Sequence, residues 1–159
     1  MDSRTIQQVV QELQLESHPE GGFFKRIYTS TFLHKDQRPF VTSILYLLPA
    51  GCFGSLHRLQ SDELWLYQSG RCLTVTEIDG SGVVTKREVK PGAPINVCAG
   101  QLFGSSLTDD APEGTFALVA CVVIPGFKWE EFDMPPKEAL LKTYEGNAAA
   151  LEVVHALSR

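Results

Sequence analysis

No segment of the 159-residue sequence is apolar for long enough to cross a bilayer as a helix. The longest apolar run, Phe116 to Pro125 (FALVACVVIP), is about half of the roughly 20 residues that a membrane helix needs, and it reads as a buried strand. Nor is there an excess of positive charge: 14 Lys and Arg stand against 19 Asp and Glu, and the net charge of −5 repels polyanions and excludes a general nucleic-acid binder. Cys52, Cys72, Cys98 and Cys121 form no Cys-x-x-Cys pair, so neither a zinc knuckle nor a thioredoxin-like redox pair is encoded; reduced, mostly buried thiols are expected. The first residues, MDSRTIQQVVQELQLESHPE, carry Gln and Glu where a signal peptide needs an unbroken apolar core, and a cytoplasmic location is expected. A phosphate loop, a Gly-x-Ser-x-Gly elbow and a His-Glu-x-x-His helix are all missing. What is there is an ordinary globular composition, 43% hydrophobic and 21% charged, with the length of one domain spanning 1–159.

Between Arg4 and Leu15, Ile6, Val9, Val10 and Leu13 recur at helical spacing, with Asp2 or Ser3 available as the cap. His18-Pro19-Glu20-Gly21-Gly22 ends this helix in a sharp turn. From about 22 to 132 the pattern changes to short apolar or alternating runs. Strands are predicted over Phe23–Thr29, Thr42–Leu48, Glu63–Gln68, Cys72–Ile78, Val83–Val89, Ile95–Cys98, Leu102–Leu107 and Phe116–Ile124. Asp79-Gly80-Ser81-Gly82 is the best hairpin turn, and so many short strands punctuated by Gly and Pro imply an antiparallel sandwich or barrel, an all-β architecture. Helices are predicted at Lys137–Tyr144 and Asn147–Leu157, split by Gly146.

One stretch carries chemistry. Gly51 is followed after five residues by His57, then by Glu63, then by Gly70. This spacing resembles the first motif of the cupin superfamily: glycine, five residues, His-x-His, three or four residues, Glu, six residues, glycine. Leu59 stands where the second histidine would be. The second cupin motif aligns on Gly92, Cys98, Gly100, Phe103 and Leu107, with Phe103 in place of the third histidine. A narrower resemblance covers about Leu13 to Phe132. His18-Pro19-Glu20-Gly21-Gly22-Phe23-Phe24, Ser43-Ile44-Leu45-Tyr46-Leu47-Leu48, His57 to Trp65, and Pro125-Gly126-Phe127 are similar, in this order, to the cupin branch called domain of unknown function 985, cupin family five. The resemblance implies a jelly-roll (double-stranded β-helix) barrel with a short N-terminal helix and C-terminal helices, a ligand cavity in its lumen and a homodimer; it implies no reaction.

On a strand, alternation puts Glu63, Trp65 and Tyr67 on one side, and Phe103 with Gln101 and Ser105 on one side, giving an aromatic wall with a few polar groups. His57 and Glu63 alone are too few to hold a metal, so no cofactor is expected; His18 or Glu20 would complete a divalent site only if the Gly21-Gly22 turn covered the barrel mouth. Without metal, His57 and Glu63 suit general acid/base work, with Tyr67 or Tyr46 as the second proton donor, in the manner of the metal-free sugar-nucleotide epimerases that resemble cupins in fold. Phe23, Lys25, Arg26 and Arg58 place cations beside aromatic rings, a combination for phosphate and base. The expected ligand is therefore a nucleotide or sugar nucleotide, bound by Glu20, Phe23, Lys25, Arg26, Tyr46, Arg58, Trp65, Gln101, Phe103 and Ser105. The alternatives are a binding protein or scaffold without chemistry, in which His57 and Glu63 merely brace the wall, and a metal-dependent enzyme.

Overall fold

The computed structural model describes residues 4–108 and 110–159. Among the described residues ten strands form two antiparallel sheets that face each other. The six-stranded sheet runs in the order β1 (Glu16–Ser17), β2 (Phe23–Thr29), β3 (Thr42–Pro49), β10 (Phe116–Ile124), β5 (Asp62–Gly70), β8 (Ile95–Val97). The four-stranded sheet is β4 (Phe53–His57), β9 (Leu102–Ser106), β6 (Leu73–Ile78), β7 (Val84–Val89). β10, the longest apolar run of the sequence, pairs on both sides, with β3 and β5, and its buried faces explain its lack of alternation.

Three apolar clusters hold the layers. Between the sheets lie Tyr46, Trp65, Val75, Phe103 and Val119, all at most 2% exposed. Helix α1 (Ile6–Leu13) lays Val9 against Leu47, Phe116 and Leu118 on the outside of the larger sheet. Helices α2 (Lys137–Thr143) and α3 (Ala148–Leu157) cover the smaller sheet through Leu140, Val153, Val154 and Leu157, which pack on Leu56, Ile78 and Leu102. Asp2 and Ser3 lie outside the described residues; the α1 cap is Thr5, whose hydroxyl accepts from Gln8 N while Gln8 Oε1 accepts from Thr5 N. The predicted hairpin forms, with Asp79 Oδ1 accepting from the backbone of Ser81 and Val83.

Two strands escape the sequence pattern. β1 is too short to show a period, and β4 is buried along almost its whole length, with a register shift between Gly54 and His57 that erases alternation. The thiols also differ from expectation: all four are free, but only Cys121 is buried, while Cys52 and Cys98 lie in exposed turns at strand ends, where no packing excludes water. No helix among the described residues is long and apolar enough to cross a membrane.

Candidate functional site

At one end of the space between the sheets, β2, β3, β4, β5 and β10 and the turn after β1 bring His18, Glu20, Tyr46, His57, Glu63 and Cys121 around one cavity. Each arrives by a separate device. His57 ends β4, pointing inward after the register shift. Glu63 and Trp65 come from alternate positions of β5, as the period of a strand requires. His18 and Glu20 come from the turn that Gly21 and Gly22 close, which folds back on β4: Ser55 N donates to Glu20 O at 2.7 Å. The cavity encloses about 30 Å³, room for about two waters. Its roof is aromatic: Phe24 from β2, and Phe127, Trp129 and Phe132 from the segment after β10, with the His18 ring 4.6 Å from Phe24 and 6.0 Å from Phe132.

The hydrogen bonds assign the tautomers. His57 Nδ1 lies 2.8 Å from the Ser55 carbonyl, which only accepts, so Nδ1 carries the proton and Nε2 keeps the lone pair. His18 Nδ1 instead accepts from Glu20 N at 3.3 Å, which leaves its proton on Nε2. Glu20 Oε2 sits 3.2 Å from His57 Nδ1 and 3.8 Å from His18 Nδ1. Every one of these groups is pushed toward its neutral form. Burial raises Glu20 to about 8, against the opposing effects of the Tyr46 hydroxyl and Arg159. Burial raises Glu63 to about 7, with His57 opposing and Glu20 adding. Burial lowers His18 to about 4, helped by the charge of His57, and lowers His57 against the pull of Glu63 and the Ser55 carbonyl. At neutral pH the Glu20–His57 contact is therefore between an uncharged acid and an uncharged imidazole.

Several buried polar atoms here close no hydrogen bond of ordinary geometry: the Tyr46 and Ser105 hydroxyls, Glu63 Oε2 and Trp65 Nε1. They neighbour one another, Tyr46 beside Glu20 and Ser105 and Trp65 beside Glu63, and so form a compact polar cluster at and behind the cavity wall.

Of the residues singled out in the sequence, Glu20, Arg26, Tyr46, His57, Glu63 and Trp65 line the cavity. Phe103 and Ser105 stand behind this lining: Phe103 backs His57 at 4.2 Å, and Ser105 abuts Gly54 beside Tyr46. The others are placed elsewhere. Tyr67 is half-buried and donates its hydroxyl to Gly70 O at 2.9 Å, a bond made toward the far end of β5, away from the acid/base groups. Phe23 and Lys25 fall on the outer face of β2, because the register Phe24↔Tyr46 and Arg26↔Ile44 sends Phe24 and Arg26 inward; Phe23 packs toward α1 and Lys25 Nζ bonds Gln14 at 2.8 Å. Arg58 turns out to Asp133 at 3.1 Å, one residue past the inward His57. Gln101 sits in the turn before β9, outside the lining. The roof residues Phe127, Trp129 and Phe132 carry no local sequence signal that ties them to β4.

The roof is fastened by Arg38. Its guanidinium bonds Gly126 O at 2.7 Å, the Ser61 hydroxyl at 2.5 Å and Glu131 Oε2 at 2.8 Å, with the side chain 11% exposed. Arg38→Met is expected to cost about 2 kcal/mol, since Glu131, the Ser61 hydroxyl and the Gly126 and Pro125 carbonyls lose a shared donor. Urea unfolding measures this, together with an intrinsic fluorescence change from a loosened Trp129; an unchanged midpoint would show that the strap adds nothing.

Comparison with known proteins follows this geometry. Residues 7–135 match the family model of the cupin superfamily described as DUF985. The chain belongs to that family. A protein of Shewanella oneidensis is 32% identical over 98% of both chains, with a TM-score of 0.89. A hypothetical protein from Leishmania major is 27% identical over 98% of this chain and 99% of its own, with a TM-score of 0.83. More distantly, a variant of Bacillus subtilis oxalate decarboxylase matches 86% of this cupin and 36% of its own chain at 19% identity and a TM-score of 0.59, a likeness of fold alone. No curated protein matches. The jelly-roll fold expected from the motifs is thus the fold of this chain.

Oxalate decarboxylase has Mn(II) centres, which raises the question of metal here. At the positions where the cupin motifs place ligands stand His57, Leu59, Glu63 and Phe103; two have no donor atom, and the Phe103 ring lies against His57. Among the described residues no group of three His, Cys, Asp or Glu side chains is arranged to hold a metal ion. The donor set does not fit a metal of the cupin type.

Proposed function

We propose that this cupin binds a small molecule at the cavity mouth and performs metal-independent proton transfer on the part that enters. The observation that carries the reading is the convergence of two histidines and two carboxyl groups in one buried aromatic cavity, all shifted toward neutral forms near physiological pH. His57 Nε2 acts as the base, because its ring is held in the right tautomer by Ser55 O. The protonated Glu20 or Glu63, or the Tyr46 hydroxyl, returns a proton. Tyr67, spent on Gly70, has no part in this.

The enclosed volume narrows the ligand. Drug-sized molecules occupy roughly 300–1,000 Å³, so a nucleotide does not fit inside, and only a small polar head group reaches the acid/base pair. A sugar nucleotide suits this division: a sugar carbon beside a carbonyl enters, a phosphate meets Arg26, and the rest lies against Phe127, over whose ring the Arg26 guanidinium sits at 5.6 Å, and the half-exposed Trp129. The test is deuterium incorporation from heavy water into keto-sugar nucleotides, followed by proton NMR. Incorporation by the wild type that His57→Gln loses is the expected result. Binding without incorporation after long incubation would favour a binding protein, and incorporation indifferent to His57→Gln would remove the base from its role.

A further inference from the structure

A second pocket lies back to back with the cavity, on the outer side of β4. It encloses about 140 Å³ and is lined by Ser55, Leu56, Met134, Pro135, Pro136, Ser158 and Arg159. Its polar groups are all donors in waiting. The Ser55 and Ser158 side chains are buried, at 1% and 7% exposure, and neither hydroxyl has a hydrogen-bond partner. Among the described residues Arg159, with five N–H donors, donates to Pro19 O at 3.5 Å and lies over the Phe53 ring at 5.5 Å. Lys137 Nζ, held by the carbonyls of His155 and Ser158 at 3.3 and 3.4 Å, adds a second positive charge beside Ser158. Among the described residues no acidic side chain lines the pocket, and its remaining side chains are apolar.

We propose that this pocket is a binding site for a small tetrahedral oxyanion, a phosphate or sulfate or the phosphoryl group of a small metabolite. Two buried hydroxyls and the guanidinium of a lining arginine form the donor set such an anion takes, and the volume admits it without admitting a nucleoside. The site is joined to the first cavity through shared residues. Ser55 lends its hydroxyl to one and its carbonyl to His57 on the other side. Arg159 presses on the backbone of Gly21, where a Cβ would lie 2.8 Å from Nη2, and its charge reaches Glu20. An anion here engages the same guanidinium that faces Glu20, so the second site sets the field at the first.

The test uses melting temperature and phosphorus NMR of the whole chain at matched ionic strength, with inorganic phosphate, sulfate, glycerol phosphate and chloride. A saturable rise in melting temperature with phosphate or sulfate, absent with chloride, is expected. A response to glycerol phosphate alone would assign the site to a phosphorylated metabolite. The double variant Ser55→Ala/Ser158→Ala, which removes only unpaired hydroxyls and so should fold, is expected to weaken phosphate binding by about tenfold or more. Arg159→Gln should do the same, whereas His57→Gln should not. Equal shifts with chloride, or undiminished phosphate binding in the double variant, would overturn the proposal.

Discussion

Glutamine in place of Glu20 is expected to flatten the pH dependence of stability above neutrality. Glu20 titrates near 4.5 in an unfolded chain and near 8 in the cavity. A carboxyl raised on folding binds its proton more tightly in the native state, so its stabilising contribution is complete below about pH 4.5 and is lost as pH rises through 8. A displacement of this size corresponds to about 5 kcal/mol. Glu63, raised to about 7, acts in the same direction over a narrower window. His18 acts in the opposite direction: lowered from 6.5 to about 4, it contributes stability above pH 6.5 that disappears as pH falls through 4. His57, also lowered, joins it. Between pH 4 and 6.5 the two pairs oppose each other and the profile is shallow. Above 6.5 the histidines are neutral in both states, and only the carboxyls still exchange protons. Stability should then fall by up to about 1.4 kcal/mol per pH unit for each carboxyl. Glutamine keeps the shape of the neutral acid and cannot ionise, so Glu20→Gln should be the more stable protein at pH 8.5 and the less distinct one at pH 5. Urea midpoints of both proteins from pH 5 to 9 decide this, with Glu63→Gln as the control that removes only the part of the slope below about pH 7. Parallel profiles for wild type and Glu20→Gln would mean that Glu20 ionises normally, and that the turn bearing it opens to water.

The sequence disclosed this site unevenly, and the unevenness has physical causes. Wherever a strand has one buried and one exposed face, period two is visible, and Glu63 and Trp65 on β5 were placed together correctly because Leu64 and Gln68 between and beyond them are exposed. The same rule applied to β2 pairs Phe24 with Arg26, on the face opposite Phe23 and Lys25. β4 offered none. Phe-Gly-Ser-Leu-His is buried on both sides by the larger sheet and by α3, and its register shift breaks what alternation remains. Only motif spacing singled out His57. Glu20 and His18 depend on a turn whose destination is set by pairing of Glu16 and Ser17 with Phe24 and Phe23, a contact no local pattern announces. The roof is more remote in sequence still, since Arg38 meets Gly126, 88 residues on, and Glu131 only because the start of β3 pairs with the end of β10. Strand faces follow from local chemistry, but the lid over them follows from topology.

That turn is also the most vulnerable point of the structure. Gly21 has φ of +122°, a conformation open to glycine and closed to L side chains, and a Cβ built on it would lie 2.2 Å from the Phe53 carbonyl oxygen. Neither problem has a cheap escape. The clash is with backbone of β4, and Arg159 blocks the other direction at 2.8 Å. Gly21→Ala is expected to cost about 4 kcal/mol, the sum of roughly 1–3 for the strained backbone and 1–3 for overpacking. The chain can lower this cost only by lifting the turn away from β4, and that motion breaks the Ser55 N to Glu20 O bond and withdraws Glu20 from His57. The stability loss and the loss of the pH slope above neutrality should therefore appear together in Gly21→Ala, although the substitution removes no titratable side chain. Gly51→Ala is the matched control: its φ of +76° carries the strain, but a Cβ there meets nothing within 4 Å, so it should lose about 1 kcal/mol and keep the slope. A Gly21→Ala protein that melts lower yet retains the wild-type pH profile would separate the turn from the ionisation of Glu20. The cavity's acid/base balance would then depend on the sheets alone.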